Sequence, residues 1–290
     1  MKKGTIVSHF GVAVLVEDEK QARTMIRVKR DSEYVVGDIV FFDERVVQIL
    51  PRINVLSRRV NTSIQKAAAN LDALGIVVAP TPQTPRTFID LAIISARVQG
   101  IDPILIANKS DLASFSPFKD ELNADFGKEI PIFVTSTKKP SGISELDETL
   151  NQKGQTMLIG VSGTGKSSLV NALVPKAMLE IGELAPKDKH GKHMTTASTL
   201  HHLSKGGTLI DSPGVRDFKL SSAEPKQIAE NFVGFSEALR TPCRFRDCLH
   251  STEPGCSIKD GVREGRISKS RYAIYLELIA EARTEKPPSW

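Results

Sequence analysis

The chain has few cysteines and no long apolar run. Its 290 residues include three cysteines, an odd number, and nothing in the sequence indicates export to an oxidising compartment. We therefore expect no disulfides. No apolar run approaches the roughly 20 residues that a membrane-spanning helix needs. The basic start Met1-Lys2-Lys3 leads into mixed, strand-like residues instead of a signal-peptide core. These absences predict a cytoplasmic protein without a membrane partner.

Composition and charge favour a globular protein with an anionic partner. Hydrophobic residues make up 40% of the chain, which can support two or three domains. The formal net charge is +5 and the isoelectric point is near 9.0. This modest positive charge is weak evidence by itself, but it is in the direction expected for an RNA partner.

The segment from Thr156 to Leu173 predicts a phosphate-binding loop. An apolar run suited to a buried strand ends at Ile159, and a helix begins near Gly165, so the glycines fall in the turn between them. Glycines let successive N–H groups converge on phosphates at the start of a helix. Lys166 would reach the outer phosphates, and Ser167 would give a hydroxyl to Mg²⁺. We predict nucleotide contacts from Gly160, Val161, Ser162, Gly163, Thr164, Gly165, Lys166, Ser167 and Ser168.

A second motif predicts a guanine-reading loop. The apolar run Ile104–Ala107 ends in Asn108-Lys109-Ser110-Asp111. Guanine offers a ring N–H and an exocyclic amine, and the Asp111 carboxylate can accept both bonds. The asparagine amide would bond the base edge and neighbouring loops, and the lysine stem would lie across the ring. A later apolar run, Ile130–Val134, enters a loop that could also touch the base. We predict base contacts from Asn108, Lys109, Asp111 and Ser136.

The order of these two motifs is unusual. Guanine-nucleotide proteins ordinarily carry the phosphate loop first, whereas here the guanine reader at 108–111 precedes the phosphate loop at 160–167. Both halves of a GTP site are present with rotated connectivity. The sequence therefore predicts a circularly permuted P-loop GTPase core of the α/β class.

Two further segments are typical of GTPase switches. The run Gly207–Ile210 leads into Asp211-Ser212-Pro213-Gly214. We expect Asp211 to hold Mg²⁺ through its water shell and the Gly214 N–H to sense the γ-phosphate. In the polar stretch upstream we expect Thr195, or its neighbour Thr196, to close on Mg²⁺. An ordinary surface loop is the alternative for that stretch.

The usual water-positioning group is missing. Small GTPases use a Gln directly after this motif, but here Gly214 is followed by Val215, which can neither donate nor accept a hydrogen bond. His193 is the nearest replacement, since imidazole can orient or deprotonate water near neutral pH. It could equally be a solvated loop histidine or a phosphate contact to a partner.

These motifs together resemble the RsgA/YjeQ family of bacterial GTPases that depend on the small ribosomal subunit. That family shares the permuted order, a histidine-bearing switch and an Asp-[Ser/Thr]-Pro-Gly segment, and the resemblance spans nearly the whole chain. It implies an N-terminal OB-fold barrel, a C-terminal zinc-binding domain, and a role in late maturation of the small subunit. Met194 departs from the Thr common in the family, which leaves open which Thr binds Mg²⁺.

The resemblance and local patterns suggest domain boundaries. Alternating residues up to about Val55 are typical of a small barrel, and we expect an OB-fold at 1–60, a permuted GTPase domain at 66–222 and a zinc-binding domain at 223–290. Residues 61–70 look like a linker. Basic residues around the barrel suit a phosphate-tracking surface, although an ordinary solvated face is the alternative for each. They are Arg23, Arg27, Lys29, Arg30, Arg52, Arg58 and Arg59.

All three cysteines lie close to one histidine near the C-terminus. This concentration is hard to explain by packing, and thiolates and imidazoles are the ligands that tetrahedral zinc takes. Four protein ligands would close the coordination shell, so we expect one structural zinc ion. The residues 268–282 carry apolar side chains at near-helical spacing and predict a packing face. The expected zinc ligands are Cys243, Cys248, His250 and Cys256.

The sequence thus predicts a monomeric, Mg²⁺-dependent GTP phosphohydrolase that binds the small ribosomal subunit and its rRNA and releases it after hydrolysis. Two alternatives stay open. One is a permuted GTPase that acts on the large ribosomal subunit. The other is an RNA-binding assembly factor that uses GTP as a structural ligand. An ATP-using P-loop enzyme fits least, because the guanine reader would then have no role.

Overall fold

A computed structural model describes residues 1–30, 32–60, 63–175, 198–211 and 223–284. These residues form a mixed α/β molecule in which one sheet runs from the N-terminal strands into the nucleotide-site core. Within these ranges, every helix is too short or too polar to cross a bilayer.

The N-terminal region is an antiparallel unit of five short strands. Its order is β3-β2-β1-β4-β5. Alternation of apolar and polar residues places Ile6, Val14 and Phe42 in a shared buried cluster. This strand-rich unit lies where the sequence predicted an OB-fold barrel. The OB-fold stays a prediction, and the five strands are called the barrel below. The strands are β1 (Lys2–His9), β2 (Ala13–Asp18), β3 (Arg23–Arg27), β4 (Ile39–Phe42) and β5 (Val46–Ile49).

Two of the basic residues expected on a phosphate-tracking surface are held in ion pairs. Arg23 Nε lies 2.8 Å from a carboxylate oxygen of Glu17. Arg52 donates to both carboxylate oxygens of the fully buried Asp38, at 2.6 and 2.8 Å. Arg52 therefore braces the barrel, and the exposed Arg30 remains accessible.

The predicted linker at 61–70 is wrong. Strand β6 (Val55–Val60) pairs antiparallel with strand β7 (Ser63–Ala69), and the two form a separate hairpin between the barrel and the core. Ala68 and Ala69 are fully buried, because the end of β7 packs against the barrel. The alanine side chains resemble the composition of a linker. Their small size here allows the backbone of β7 to approach the backbone at Val36 closely.

The core is a mostly parallel sheet in the order β10-β9-β8-β11-β13-β12. Neighbouring strands run parallel except β12, which is antiparallel to β13. Strand β8 is buried at every position, as expected for a strand covered on both faces. The strands are β8 (Ala73–Val78), β9 (Asp102–Ala107), β10 (Ile132–Val134), β11 (Gln155–Ile159), β12 (Thr199–His202) and β13 (Thr208–Asp211).

Parallel strands bring the predicted motifs to one edge of this sheet. The guanine-reading loop follows β9, the loop at 135–136 follows β10, and the phosphate loop follows β11. The carboxyl ends of parallel strands share an edge, which is where ligands bind in open α/β sheets. The connecting helices are α1 (Arg86–Val98), α2 (Phe115–Phe126), α3 (Ile143–Lys153) and α4 (Lys166–Leu173).

The C-terminal region is mainly helical and packs on α1. Tyr275, Phe232 and Phe235 form its centre, with ring centroids 4.7–5.5 Å apart. Leu91 and Ile94 of α1 belong to the same apolar cluster. The predicted packing face at 268–282 is confirmed by this burial. The helices are α5 (Pro225–Asn231), a 3-10 turn (Ala238–Arg240), α6 (Ser257–Arg263) and α7 (Lys269–Thr284).

A buried ion pair fixes the C-terminal region to the core. Both terminal nitrogens of Arg271 in α7 lie 2.6 Å from the carboxylate of Asp90 in α1, and the two residues are 6% and 1% exposed. The guanidinium also lies over the rings of Phe126 and Phe232, at 4.7 and 4.5 Å from their centroids. Bidentate geometry with aromatic packing is the arrangement in which a buried arginine is best compensated.

Replacing Arg271 should therefore destabilise the protein strongly. Arg271→Ala leaves the Asp90 carboxylate buried without its partner, and such losses cost about 3–5 kcal/mol. Urea unfolding monitored by circular dichroism measures the change. Arg283→Ala, an exposed arginine on the same helix, should change the free energy of unfolding by less than about 0.5 kcal/mol. Equal effects of the two substitutions would contradict this account of the interface.

Candidate nucleotide site and metal centre

The phosphate loop has the geometry that the sequence predicted. It leaves β11 after Ile159 and enters α4 at Lys166. Gly163 and Gly165 take φ angles of +86° and +92°, a left-handed region that strongly favours glycine. A Cβ on Gly165 would also lie 2.4 Å from the Asn108 amide nitrogen, so the loop can approach its neighbour this closely only with glycine there.

Lys166 and Asp211 meet in an ion pair at the start of α4. Lys166 is 8% exposed, and its ammonium contacts the carboxylate at the end of β13. Ser167 follows directly and is exposed. Carboxylate and hydroxyl oxygens are hard donors of the kind that Mg²⁺ prefers, so the residues present fit this ion. The structure thus brings together two predicted elements that lie 45 residues apart in the chain.

The guanine-reading loop is tied directly to the phosphate loop. The side chain of Asn108, 1% exposed, donates to the Thr164 carbonyl at 2.9 Å and accepts from the Thr135 hydroxyl at 3.2 Å. Lys109 adopts a positive φ of +67°, and its ammonium donates to the carbonyls of Gly163 and Thr81 at 2.6 and 2.7 Å. Four loops are therefore held in a fixed relation by side-chain hydrogen bonds.

Asp111 is oriented by Ser136. The serine hydroxyl donates to one carboxylate oxygen at 2.6 Å. This hydrogen bond lowers the pKa of Asp111, which keeps the carboxylate charged and ready to accept hydrogen bonds. The two residues chosen from separate motifs thus lie together at the sheet edge.

Sequence reasoning missed two members of this network. Thr81, whose carbonyl accepts from Lys109, and Thr135, whose hydroxyl holds Asn108, were not singled out. The proline-rich stretch after β8 was the available signal for Thr81. The predicted residues His193, Thr195, its alternative Thr196, and Gly214 lie outside the part of the chain that the structure describes.

The C-terminal cysteines and histidine converge on one point. The ligand atoms of Cys243, Cys248, His250 and Cys256 all lie within 4.8 Å of one another. His250 Nδ1 is 3.5 Å from the Cys243 sulfur and 3.3 Å from the Cys256 sulfur. Zinc bonds of about 2.3 Å to sulfur and 2.0–2.1 Å to nitrogen would place tetrahedral ligands about 3.5 Å apart. The four residues can therefore hold a metal ion.

Surrounding side chains fix the shape of this loop. The Glu253 carboxylate accepts from the backbone N–H groups of Leu249 and Ser251 at 3.1 and 2.9 Å. The hydroxyls of Tyr272 and Tyr275 donate to the carbonyls of His250 and Leu249 at 2.7 and 2.8 Å. Burial raises the pKa of the Cys256 thiol, so a bound cation would have to displace its proton.

This chain is similar to known proteins over most of its length. Residues 49–221 match the RsgA GTPase family. The chain belongs to the RsgA GTPase family. As a member, it is a GTP-hydrolysing enzyme. The small ribosomal subunit biogenesis GTPase RsgA 1 of Vibrio vulnificus is 36% identical over 295 residues, covering 96% of this chain and 83% of that protein. The RsgA of Azotobacter vinelandii is 35% identical, and the alignment covers 96% of this chain and 85% of that protein.

Solved structures confirm the predicted fold class. YjeQ from Thermotoga maritima superposes with a TM-score of 0.77 at 29% identity, over 98% of this chain and 99% of that chain. YloQ, titled a circularly permuted GTPase, has a TM-score of 0.71 at 24% identity, over 100% and 97% of the two chains. The RsgA-family chain therefore has the permuted α/β fold that its motif order predicted.

Asp111→Asn should change base preference. The amide can no longer accept two charge-assisted bonds from guanine, and the loss should be roughly 10–100-fold in GTP affinity. Xanthosine triphosphate, which carries a carbonyl where guanine has its amine, should bind the variant better than GTP does. Competition against a fluorescent GDP analogue measures both affinities. Asp120→Asn, an exposed acid on α2, is the matched control; unchanged base preference in D111N would contradict the assignment.

Proposed function

We propose that this GTPase binds the small (30S) ribosomal subunit and its rRNA, as a cytoplasmic monomer, and assists late maturation of that subunit. The observation that carries the proposal is the extent of the match. Relatives named small ribosomal subunit biogenesis GTPases align with 96% of the chain, including the strand-rich N-terminal unit, the permuted site and the cysteine loop. The match therefore includes the parts of the chain outside the GTPase core.

The hydrogen bonds between the loops support separate roles for their residues in binding the phosphates and the base. The N–H groups of the phosphate loop and Lys166 would hold the phosphates, while Asp111, oriented by Ser136, would read the base. Because Asn108 and Lys109 join the two loops by hydrogen bonds, the groups that bind the base and those that bind the phosphates would keep a fixed spatial relation. Ser167, Thr195 and, through water, Asp211 would hold Mg²⁺, which neutralises phosphate charge when bound.

The catalytic group proposed for hydrolysis is His193. It would orient or deprotonate the attacking water, because Val215 stands where small GTPases carry a glutamine. Free-enzyme turnover would be slow for the same reason. Contact with the small subunit would order His193, Thr195 and the Gly214 N–H around the γ-phosphate and so raise the rate. Hydrolysis to GDP would then weaken binding to the small subunit.

The metal proposed for the C-terminal loop is one structural zinc ion. Three thiols and one imidazole form a donor set that zinc prefers, and the 3.3 and 3.5 Å separations around His250 Nδ1 suit a tetrahedral arrangement. Four protein ligands would leave no open position for substrate. The ion would stabilise a loop that otherwise depends on Glu253 and the tyrosine hydroxyls.

GTP hydrolysis should accelerate when small subunits are added. Phosphate release by the purified protein is measured alone, with small subunits and with large subunits, using ATP as a second control substrate. Stimulation by small subunits alone is expected, because they would complete the catalytic arrangement. Stimulation only by large subunits, or none by either, would contradict the proposed partner.

Two variants separate nucleotide binding from catalysis. Ser167→Ala should weaken GTP binding in the presence of Mg²⁺, since it removes an expected ligand of the ion. His193→Ala should retain GTP affinity and association with small subunits but lose about 10²–10⁴-fold in stimulated rate, the usual size of a general acid–base contribution. Normal stimulated turnover of H193A would exclude the histidine as the catalytic group.

Metal analysis tests the zinc proposal. The purified protein should contain one zinc ion per chain, and Cys256→Ser should lower both zinc content and the thermal unfolding midpoint, because it removes a ligand that is 1% exposed. Asp247→Asn changes an exposed side chain in the same loop and should retain the zinc. Full zinc occupancy in Cys256→Ser would show that this cysteine is not a ligand.

A further inference from the structure

A cavity of about 610 Å³ lies between the barrel, the hairpin and the start of β12. Its walls come from His9 at the end of β1, Arg30, the loop residues 32–36, strand β7, and Ser198. The volume is within the range of small-molecule sites, about 300–1,000 Å³. Its lining shares no residue with the predicted guanine or phosphate loops. We call it the barrel–hairpin pocket.

The wall of the barrel–hairpin pocket is rigid. The buried Asp38 accepts from the Val35 N–H at 2.9 Å and from the Arg52 guanidinium. Arg52 also donates to the Glu33 carbonyl at 2.7 Å. The Ala69 N–H donates to the Val36 carbonyl at 3.0 Å, which fastens the loop to β7. A preformed wall of this kind lowers the ordering cost of binding a ligand.

Two polar atoms in this wall lack hydrogen-bond partners. His9 Nδ1 accepts from the Gly11 N–H at 3.2 Å, so the proton of a neutral imidazole is on Nε2. That Nε2 and the Ser32 hydroxyl are both buried and unpartnered among the described residues. Burial lowers the pKa of His9, which favours the neutral ring. Both atoms are enclosed by protein, so they belong to the interior of the wall and are not contacts for a ligand.

The remaining lining is basic at the mouth and flat inside. Arg30 is exposed and forms no ion pair with any described residue, whereas Lys66 is paired with Glu33 at 2.7 Å. Tyr34 is packed on the barrel core, and Ile64, 42% exposed, faces the same cavity from the hairpin. An arginine and an aromatic ring that line one pocket are a combination that recognises the phosphate and the base of one nucleotide.

We propose that the barrel–hairpin pocket binds one nucleotide, with its base against Tyr34 and Ile64 and its phosphate beside Arg30. This site is separate from the GTP site. The nucleotide could be a free mononucleotide or an unpaired residue of an RNA strand, since both carry the same base and phosphate. The proposal does not require the small ribosomal subunit to be the partner.

Isolated probes test the pocket directly. The full-length protein is saturated with GDP so that the GTP site is filled, and binding of fluorescein-labelled octauridine and octaadenylate is followed by anisotropy. UMP, AMP and inorganic phosphate serve as competitors and are also titrated alone by calorimetry. Arg30→Ala removes the guanidinium at the proposed phosphate position, and Gln65→Trp places a bulky side chain at an exposed lining position of β7.

Arg30→Ala should weaken binding about tenfold or more, the loss expected for a charge-assisted bond. Gln65→Trp should weaken it by filling the pocket. Their GDP affinity and unfolding midpoint should match those of the unaltered protein. Arg45→Ala, an exposed arginine in the β4–β5 turn, is the matched control and should bind normally. Octauridine containing 4-thiouridine should crosslink to the peptide that contains Tyr34 or Ile64.

Each outcome decides the proposal. Mononucleotide binding that both variants weaken supports the site with a free nucleotide as its source. Binding of the octamers alone, weakened by both variants and crosslinked to the pocket, supports it with RNA as the source. Binding that both variants leave unchanged, crosslinks confined to other surfaces, or no binding of any probe would overturn the pocket, whatever the small-subunit assay shows.

Discussion

The side chain of Asn108 joins the two halves of the nucleotide site, and the arrangement of the site depends on that contact. Its amide bridges the phosphate loop and the loop after β10, and Lys109 adds two bonds to the carbonyls of Gly163 and Thr81. These links are non-covalent and run between loops at the ends of parallel strands. The order in which the chain visits those strands is therefore free to change, which is why a permuted sequence can build the same site.

The sequence predicted those parts that rest on local patterns. Apolar runs ending in glycine or in the Asn-Lys-Ser-Asp motif specify a strand and the loop that follows it, and such signals need no knowledge of distant contacts. The cysteine loop could also be recognised from the sequence as a candidate metal site, since three thiols and an imidazole within a short segment have few other structural roles. Parallel pairing then brings separate motifs to one edge of the sheet.

The missed features depend on distant partners. Ser63–Ala69 has a bland composition, and its identity as a strand comes from pairing with β6 and from packing of its alanines against the barrel. Arg52 looked like a surface cation until its pairing with the buried Asp38 was known. Asp90 and Arg271 are 181 residues apart, and neither residue's neighbours indicate the other. All three features depend on residues that are distant in the sequence. The local pattern of apolar and polar residues therefore does not predict them.

One backbone pairing joins the strands of the barrel to those of the nucleotide site in the described part of the chain. Ser8 of β1 is the residue paired with Thr199 of β12, and Thr199 is in turn paired with Asp211 of β13. The adjoining pairs on either side of this row, β1 with β2 and β12 with β13, are each several residues long. The junction is thus narrow, and the contact between His202 of β12 and Glu17 of β2 at 2.5 Å adds a second link between the two parts of the sheet. Thr199 also pairs with Asp211, so the strand that makes the junction lies directly beside the carboxylate that contacts Lys166.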